Sequence, residues 1–590
     1  MNIKACQFFR VRVLSQMYRL SVAAFILLLP SMSMAQTVSS GLLLGEGLEH
    51  WQLALPMKSG KADRKGWIRM LESNRATLVN KGYLEAAFQL ADTTADSLLN
   101  VLVHTGPRYR WDSLSLSSGI SMSIRNKLGI RSPLFRNSMI SPSRVEEHKK
   151  DMVEYMAAHG YPFASVYLDT LSVGMGRISA ILQLTKGPQI LYDTLLIKGT
   201  AKLKPAFLSA LLEIKPGEPY DEEAIRSIKN RVQQLPYLTL TQSPEIQYSM
   251  GRATLYLPIN ARSVNQVDGV VGLLPNETRQ NRLLLTGEFN LKLFNLFSSG
   301  KQLNVQWMRQ RPLSQLLNLS YLHPRLFRSP IDVRLKFDFL KEDTTFINID
   351  RRVSLGYNFK SGANLQVITG IKTSDVLGTT SSPSISAVRI VSYGLSYQWS
   401  GLNDWLYPKK GWYIDITALA GNRRRQQRPA TSTAAEPSEL TLSTTQWTFQ
   451  GNIVRYFRFS NAFSLMTRAQ SGWTETPELL QNELFRLGGL MSFRGFNENY
   501  FFASRYAVGT VEARYFLEAT TYTFVFVDQG YVYFDLDQSF LEDSPLGLGF
   551  GFSFASGPGV FNFVYALGRD QGQRMQVNLS KIHFGFISRF

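Results

Sequence analysis

Three side chains late in the chain have types and surroundings suited to strong electrostatic recognition: Arg494, Glu512 and Asp528. Arg494 lies between two aromatics in Phe493-Arg494-Gly495-Phe496, within FRLGGLMSFRGFNENYFF (485–502), a stretch with neither strand nor helix periodicity. A guanidinium presents a planar fork of donors that matches carboxylates. Glu512 shares its phase with Thr510 and Arg514 and alternates with Val511, Ala513 and Tyr515, so on a strand it faces away from the apolar set. Asp528 ends the apolar run Phe524–Val527, where an unpaired carboxylate is costly. Read from the residues alone, Arg494 is either a solvated loop charge or a paired one, and Asp528 either a turn residue or a partner.

Catalytic chemistry has no comparable foothold. The six histidines (50, 104, 148, 159, 323, 583) show no metal-ligand spacing. There is no Gly-x-Ser-x-Gly elbow, no phosphate loop, and the only cysteine is Cys6. No enzymatic activity, cofactor or metal is expected.

The elements that must position these residues follow from composition. Charged residues make up 18% of the 590 and aromatics 12%, with 43 glycines, against an ordinary charged share of about 25%. That balance suits a chain that meets both water and lipid. Beyond the N-terminus no segment has the roughly 18 unbroken apolar residues of a spanning helix. Crossing lipid without such helices requires a closed β-barrel, since every backbone polar group must be paired internally. The N-terminus itself resembles a signal segment: Lys4, Arg10, Arg12 and Arg19 precede LSVAAFILLLP (20–30), and Ser33 and Ala35 suit cleavage before Gln36. Its removal takes Cys6 with it, so disulfides are not expected. It also takes four basic and no acidic residues, lowering the net charge from +19 to +15. The dense basic run is confined to Arg423-Arg424-Arg425. Export and the absence of longer runs favour attraction to anionic lipid head groups over nucleic acid.

The rest divides in two. From 36 to 262 the chain repeats: Lys81-Gly82-Tyr83 is echoed by His159-Gly160-Tyr161 and then Pro236-Tyr237, each after a helical stretch (64–80, 144–158, 221–234). Gly106-Pro107 and Gly187-Pro188 are each followed four residues later by Asp-Ser/Thr-Leu. A repeat of about 75–80 residues predicts small α+β domains in tandem, here 36–106 (short or divergent), 107–187 and 188–262. From 263 to 590 the pattern becomes segments of about ten residues with weak alternation, as in a membrane barrel. Sixteen antiparallel strands are expected. Short connections (LFSSG, RLFRS, KSGA, RFSNA, EATT, ASGPG) alternate with mostly longer ones, notably 374–387, 421–443, 474–505 and 534–544. In the last strand Ile582, Phe584, Phe586 and Phe590 share the apolar face, and Lys581, His583 and Arg589 the other.

Taken together, these motifs resemble the BamA/TamA superfamily of outer-membrane assembly factors. The repeats are similar to polypeptide-transport-associated (POTRA) domains through the Gly-Pro boundaries, IKPGEPY and LPYL. LNDWLYPKKGWYIDI resembles the family's barrel turn, FRLGGLMSFRGF its sixth extracellular loop, and VGTVEARYF with FVFVDQG the two strands that follow. The resemblance implies a location in the bacterial outer membrane with the N-terminal domains in the periplasm. It implies that the sixth loop folds into the barrel and that Arg494, flanked by Phe493, Gly495 and Phe496, pairs with Glu512 and Asp528. It further implies a weak seam between the first and last strands, around Val270 and Gly272 on one side and Phe584, Gly585 and Phe586 on the other. Gly585 either weakens the last strand or makes room in the lumen. Phe590 matches the family's assembly signal. The implied function is to receive client outer-membrane or secreted polypeptides through the POTRA domains and insert or translocate them through the barrel, alongside lipids and with periplasmic or lipoprotein accessory subunits as further partners. The alternative is a two-partner-type secretion pore for one exported substrate; 36–66 has no clear plug helix of the kind such pores carry.

Overall fold

The computed structural model of the chain describes residues 48–54, 57–58, 61–62, 64–90, 98–275, 283–311, 313–377, 384–426, 441–536, 539–556 and 559–590. The expected signal segment lies outside the described residues, as do 378–383, 427–440 and 537–538 within the expected loops. The chain forms two compact units, one reaching to His148 and including Leu168–Gln183, the other comprising Lys149–Tyr167 and Leu184–Phe590.

In the first unit, Leu98–His104 is the centre of an antiparallel sheet between Leu48–Ala54 and Ala87–Leu90. Helix α1 (Arg64–Asn80) contributes Leu78 to a core with Tyr83, Ala86 and Val103. A second sheet, most of it in this unit, runs in the order Phe135–Arg136, Arg110–Leu116, Arg177–Thr185, Ser165–Gly174, its two central strands parallel. Helix α2 (Met122–Leu128) was not expected. Seven residues are too few to show a helical period, and the signals are local: the Ser121 hydroxyl accepts from Ile124 N–H, and Gly129 ends the helix.

The second unit begins within helix α3 (Pro142–Ala157). Its α/β part has Arg252–Leu257 as the central strand, parallel to Leu191–Ile197 and antiparallel to Glu245–Ser249. Helices α4 (Pro205–Leu212) and α5 (Glu222–Gln233) cover it. Helix α5 starts where its capping residue dictates: the Asp221 carboxylate accepts from Glu223 N–H at 2.8 Å. Ala224, Ile228 and Val232 form its buried stripe against Leu208, Leu211 and Leu212 of α4, with Ile225 at the stripe's edge. Helix α4 escaped the sequence reading because PAFLSALL is apolar all round and short, which hides its period. Tyr220 is fully buried and donates to the Glu222 carboxylate at 2.5 Å. Burial, with that hydrogen bond second, pushes its hydroxyl far above the usual phenol range. The sequence echoes have a backbone counterpart: Tyr109 N–H donates to Gly82 C=O, and Ile190 N–H to Gly160 C=O, both at 2.8 Å.

The remainder is a closed barrel of sixteen antiparallel strands among the described residues. They are β1 (Gln266–Pro275), β2 (Leu283–Leu296), β3 (Lys301–Arg311), β4 (Ser314–His323), β5 (Ile331–Glu342), β6 (Phe346–Asn358), β7 (Ala363–Val376), β8 (Ala387–Ser400), β9 (Gly411–Gln426), β10 (Thr441–Arg458), β11 (Phe463–Glu475), β12 (Arg505–Phe516), β13 (Tyr522–Leu536), β14 (Ser539–Asp543 and Leu546–Ser556), β15 (Gly559–Arg569) and β16 (Lys581–Arg589). Period-two alternation sorts the side chains. On β13, Val525 and Val527 are exposed while Phe526 and Asp528 are buried. On β16, Ile582, Phe584 and Phe586 are exposed, as is Phe590 just after it, and Lys581, His583 and Arg589 are partly covered.

Three expectations need correction. Residues 534–544 are mostly strand: β13 pairs first with Ser539–Asp543 and then with Leu546–Ser556. The ladder breaks at Ser544–Pro545, since proline has no N–H to donate, and Gly530 N–H patches it by donating to Pro545 C=O at 2.8 Å. Strands β9 and β10 have 16 and 18 residues and run on through 421–426 and 441–443, which the sequence reading assigned to a loop. About 9–11 residues suffice to cross lipid, so their outer ends leave the apolar zone and lose the alternation that marks a strand. Finally, the connection 343–345 is tight and β3 and β4 pair as far as Arg311–Ser314, while the short-turn end has a ten-residue connection of its own at 401–410, so loop length is unequal at the two ends mainly after β9 and β11.

At the short-turn end the last α/β module sits against the barrel turns. Lys204 N–H donates to Ser298 C=O at 2.7 Å, and Glu213 accepts from both Arg231 (2.7 Å) and Arg325 (3.4 Å). Gly300, with φ +71°, lies under the Phe207 ring; a Cβ there would be 2.2 Å from Phe207 Cζ. Substituting Gly300→Ala is therefore expected to displace Phe207 and weaken the seat of α4 by about 1–3 kcal/mol, the usual cost of overpacking. The check is faster amide hydrogen exchange across α4, with the barrel strands unchanged.

Candidate functional site: an arginine clamp in the barrel

The connection between β11 and β12 is not irregular throughout. Phe485–Leu487 and Phe501–Ala503 pair as a small antiparallel ladder, and Gly489–Ser492 makes a helical turn. Each element is too short to register as a period, so the sequence reading of this stretch as structureless needs correction. The ladder closes a hairpin that carries Phe493-Arg494-Gly495-Phe496 at its head. Phe493 and Phe496 are 0% and 1% exposed and pack with Phe501, Val508 and Val532. The aromatics are thus the hydrophobic foot that lets the arginine between them enter the barrel.

Arg494 meets both acids. Its Nε donates to Asp528 Oδ2 at 2.8 Å and its second terminal nitrogen to Oδ1 at 2.7 Å, a two-pronged pair. The other terminal nitrogen donates to Glu512 Oε2 at 2.5 Å, and the Arg494 backbone N–H to Asp528 Oδ2 at 3.2 Å. The guanidinium carbon lies 3.5 Å from the centroid of the Phe526 ring. Two further residues complete the network. Arg514 Nε donates to Glu512 Oε1 and Thr510 Oγ1 to Asp528 Oδ1, both at 2.8 Å. The two guanidiniums and two carboxylates offset one another's charge where the Glu512 and Asp528 side chains are 5% and 2% exposed. Burial of charge is tolerable only when it is paired in this way.

The loop reaches these acids because the wall lacks side chains where its backbone passes. A Cβ on Gly547 would be 2.2 Å from the Arg494 carbonyl oxygen, and one on Gly568 2.5 Å from that of Gly495. Gly495 itself has φ +92° and no room for a Cβ beside the Leu567 carbonyl. Sequence reasoning missed Thr510, Arg514, Gly547 and Gly568. Glycines inside strands are the available signal, since they often mark a close backbone approach.

A second buried pair holds the far half of the loop. Arg423 of β9 donates through Nε and one terminal nitrogen to the two oxygens of Glu483, both at 2.8 Å, and neither side chain has any exposure. Beside it, the Asn482 side chain donates to Ser374 Oγ at 2.6 Å, and Arg486 pairs with Glu342 of β5 at 2.5 Å. The basic run at 423–425 thus includes an internal anchor as well as surface charge, which sequence could not show because Glu483 is sixty residues away. Together the anchors draw the loop against opposite walls of the barrel. Among the described residues, no group of three or more His, Cys, Asp or Glu could hold a metal ion.

At the expected seam, β1 pairs with β16 only through Gln266–Arg589 and Val267–Ser588 among the described residues. Val270 and Gly272 pair with Glu288 and Thr286 on β2, while Phe584, Gly585 and Phe586 pair with Phe563, Asn562 and Phe561 on β15. Continuing the β1–β16 register would set Val270 opposite Gly585. A Cβ on Gly585 would meet nothing within 4 Å, so no packed neighbour needs the space. Phe590 N–H donates to Asn265 C=O at 3.1 Å, next to the closed part of the seam.

Removing one partner of a desolvated pair leaves the other charge buried. Arg494→Ala and Asp528→Asn are expected to loosen the loop by about 3–5 kcal/mol, seen as lost exchange protection at 489–496. Arg494→Lys, which keeps the charge but not the fork, should fall between these and the unmutated protein.

Comparison with known families and structures gives a consistent placement. Residues 295–590 match the family model described as the Omp85 superfamily domain, and 193–262 match the POTRA model, a surface antigen variable number repeat. No curated protein matches the chain. Among solved structures, CdiB from Escherichia coli is similar with a TM-score of 0.53 at 14% identity, over 89% of this chain and 97% of that one. CdiB from Acinetobacter baumannii gives 0.51 at 13%, with the same coverage. BamA from Haemophilus ducreyi lacking POTRA domains 1–3 gives 0.41 at 13%, over 82% of this chain and all of that one. At these identities the two CdiB structures speak to fold alone; the family match spans half the chain. The chain belongs to the Omp85 (BamA/TamA) superfamily, as an outer-membrane β-barrel with its POTRA-type N-terminal region in the periplasm.

Proposed function

We propose that this protein inserts client β-strands into the outer membrane, using the β1–β16 seam as the template and its periplasmic modules as the receiving array. Membership of the superfamily supports a role in insertion or translocation at the outer membrane, which is transport or assembly rather than catalysis. The observation that carries insertion is the seam. Among the described residues, ladder pairing between β1 and β16 stops after Val267–Ser588, which leaves the strand edges beyond it without a ladder partner in each other. Unpaired strand edges template new strands, and in lipid the unmet backbone groups make that pairing favourable. The drive is then burial of apolar client surface and closure of client hydrogen bonds, with no nucleotide required.

In this reading the Arg494 clamp keeps the loop seated in the lumen, with its two acids on β12 and β13, and Phe590 acts in the protein's own assembly. Residues 36–106, 107–187 and 188–262 act as successive POTRA modules. Strand Ser165–Gly174 lies at a sheet edge and exposes Leu171 and Val173, so it offers clients a place for augmentation.

Depletion of the protein, followed by quantitative comparison of outer-membrane and secreted proteomes, tests the proposal. The expected result is a fall in several β-barrel proteins together. Loss of a single exported protein would instead make this a dedicated secretion pore of the two-partner type, and no change in either set would remove both readings.

A further inference from the structure

The closed part of the seam meets a third element. Arg589 belongs to one of the two ladder pairs that join β16 to β1. Its guanidinium leaves the seam and donates to the Tyr407 hydroxyl at 2.6 Å, with Cζ 5.4 Å from the Tyr407 ring centroid. Tyr407 lies in the turn 401–410 between β8 and β9, half the strand order away from β16. This turn is built to hold the ring still. Asp404 Oδ1 accepts from the N–H groups of Leu406 (2.8 Å) and Tyr407 (2.9 Å). Asp404 Oδ2 accepts from Arg262 at 3.0 Å, in the segment that leads into β1. Leu406 packs against the core of the last POTRA-type module, and Tyr407 is 8% exposed.

We propose that the β8–β9 turn is a strut that sets the opening of the seam, with Tyr407 as its positioning residue. This inference rests on the reading that the seam opens to clients. The physical reason is proportion. Two ladder pairs contribute few hydrogen bonds, so one charge-assisted bond from Arg589 is a large share of what holds the strand ends together. A seam paired along its whole length would not feel it. The same turn carries Arg262 on Asp404, so a shift of the segment entering β1 disturbs the carboxylate that orients Tyr407. Coupling of this kind is reciprocal: an open seam also loosens the hold on Arg262.

The test is hydrogen exchange on the full chain in lipid nanodiscs, without clients. Tyr407→Phe keeps the ring and removes only the acceptor oxygen. It is expected to speed exchange of the amides at 266–267 and 588–590 about tenfold, the factor equivalent to losing a charge-assisted hydrogen bond, while β6, β7, β12 and β13 keep their rates. Arg262→Ala, which leaves the turn's own hydrogen bonds in place, is expected to give a smaller rise at the same amides. Unchanged seam exchange in folded Tyr407→Phe overturns the strut, and so does a uniform rise over all strands, which reports general destabilisation. If Tyr407→Phe yields no heat-modifiable barrel, Arg262→Ala decides: a rise confined to the seam supports the strut, and no rise overturns it. Because exchange is read without clients, a loosened seam with an unaltered proteome on depletion would leave the strut standing and remove only the insertion reading.

Discussion

Every backbone donor and acceptor of a strand in lipid must find its partner in another strand, because the surroundings offer none. This constraint orders the whole second half of the protein. It demands that the sheet close, and it makes the join between β1 and β16 the place where closure is least complete. Gln266–Arg589 and Val267–Ser588 satisfy the requirement at one end. Beyond them β1 and β16 form no further ladder pair among the described residues, and the protein's proposed work is to let other strands meet the requirement. The module beneath and the β8–β9 turn crowd around the paired end.

The interior obeys a second constraint of the same kind. A charge removed from water must be compensated on the spot. Arg494 and Arg514 face Glu512 and Asp528, and Arg423 pairs with Glu483 while also donating to the Glu478 carbonyl. The loop is a folded hairpin whose aromatic foot excludes water from the first of these sites. Its path needs glycine on both sides of the contact, at Gly495 in the loop and at Gly547 and Gly568 in the wall. A barrel of this architecture thus carries its loop inside as packed structure, with the ion pairs as its fixed points.

Much of the fold was legible in advance because the pattern that marks each strand is the pattern that lipid and lumen impose. Where that pressure ends, so did legibility. The outer parts of β9 and β10 lie beyond the apolar zone, and their polar residues looked like loop. The Ser539–Asp543 piece of β14 was hidden by Pro545, which signals a break but does not say that the strand resumes. Helices α2 and α4 are too short, or too uniformly apolar, to show a period. At the site, Arg494, Glu512 and Asp528 were matched to one another by the resemblance of the loop and the two strands after it to a known family, and the cost of an unpaired carboxylate beside Phe524–Val527 made the match plausible. Arg514 and Thr510 did not stand out, because polar residues on a lumen-facing strand are ordinary.

The sequence by itself determined the class of the molecule: tandem α/β modules, sixteen strands, and an arginine and two acids placed on a loop and the two strands after it. The modules and strands depend on local periodicity, which acts within a few residues, and the arginine and its acids on the likeness of their motifs to a known family. Only the tertiary structure decided which charges meet and how tightly the barrel shuts. Arg423 and Glu483 are sixty residues apart, Arg589 and Tyr407 one hundred and eighty-two. Closing the sheet brings such residues together, and no pattern along the chain encodes the distance between two walls of a barrel.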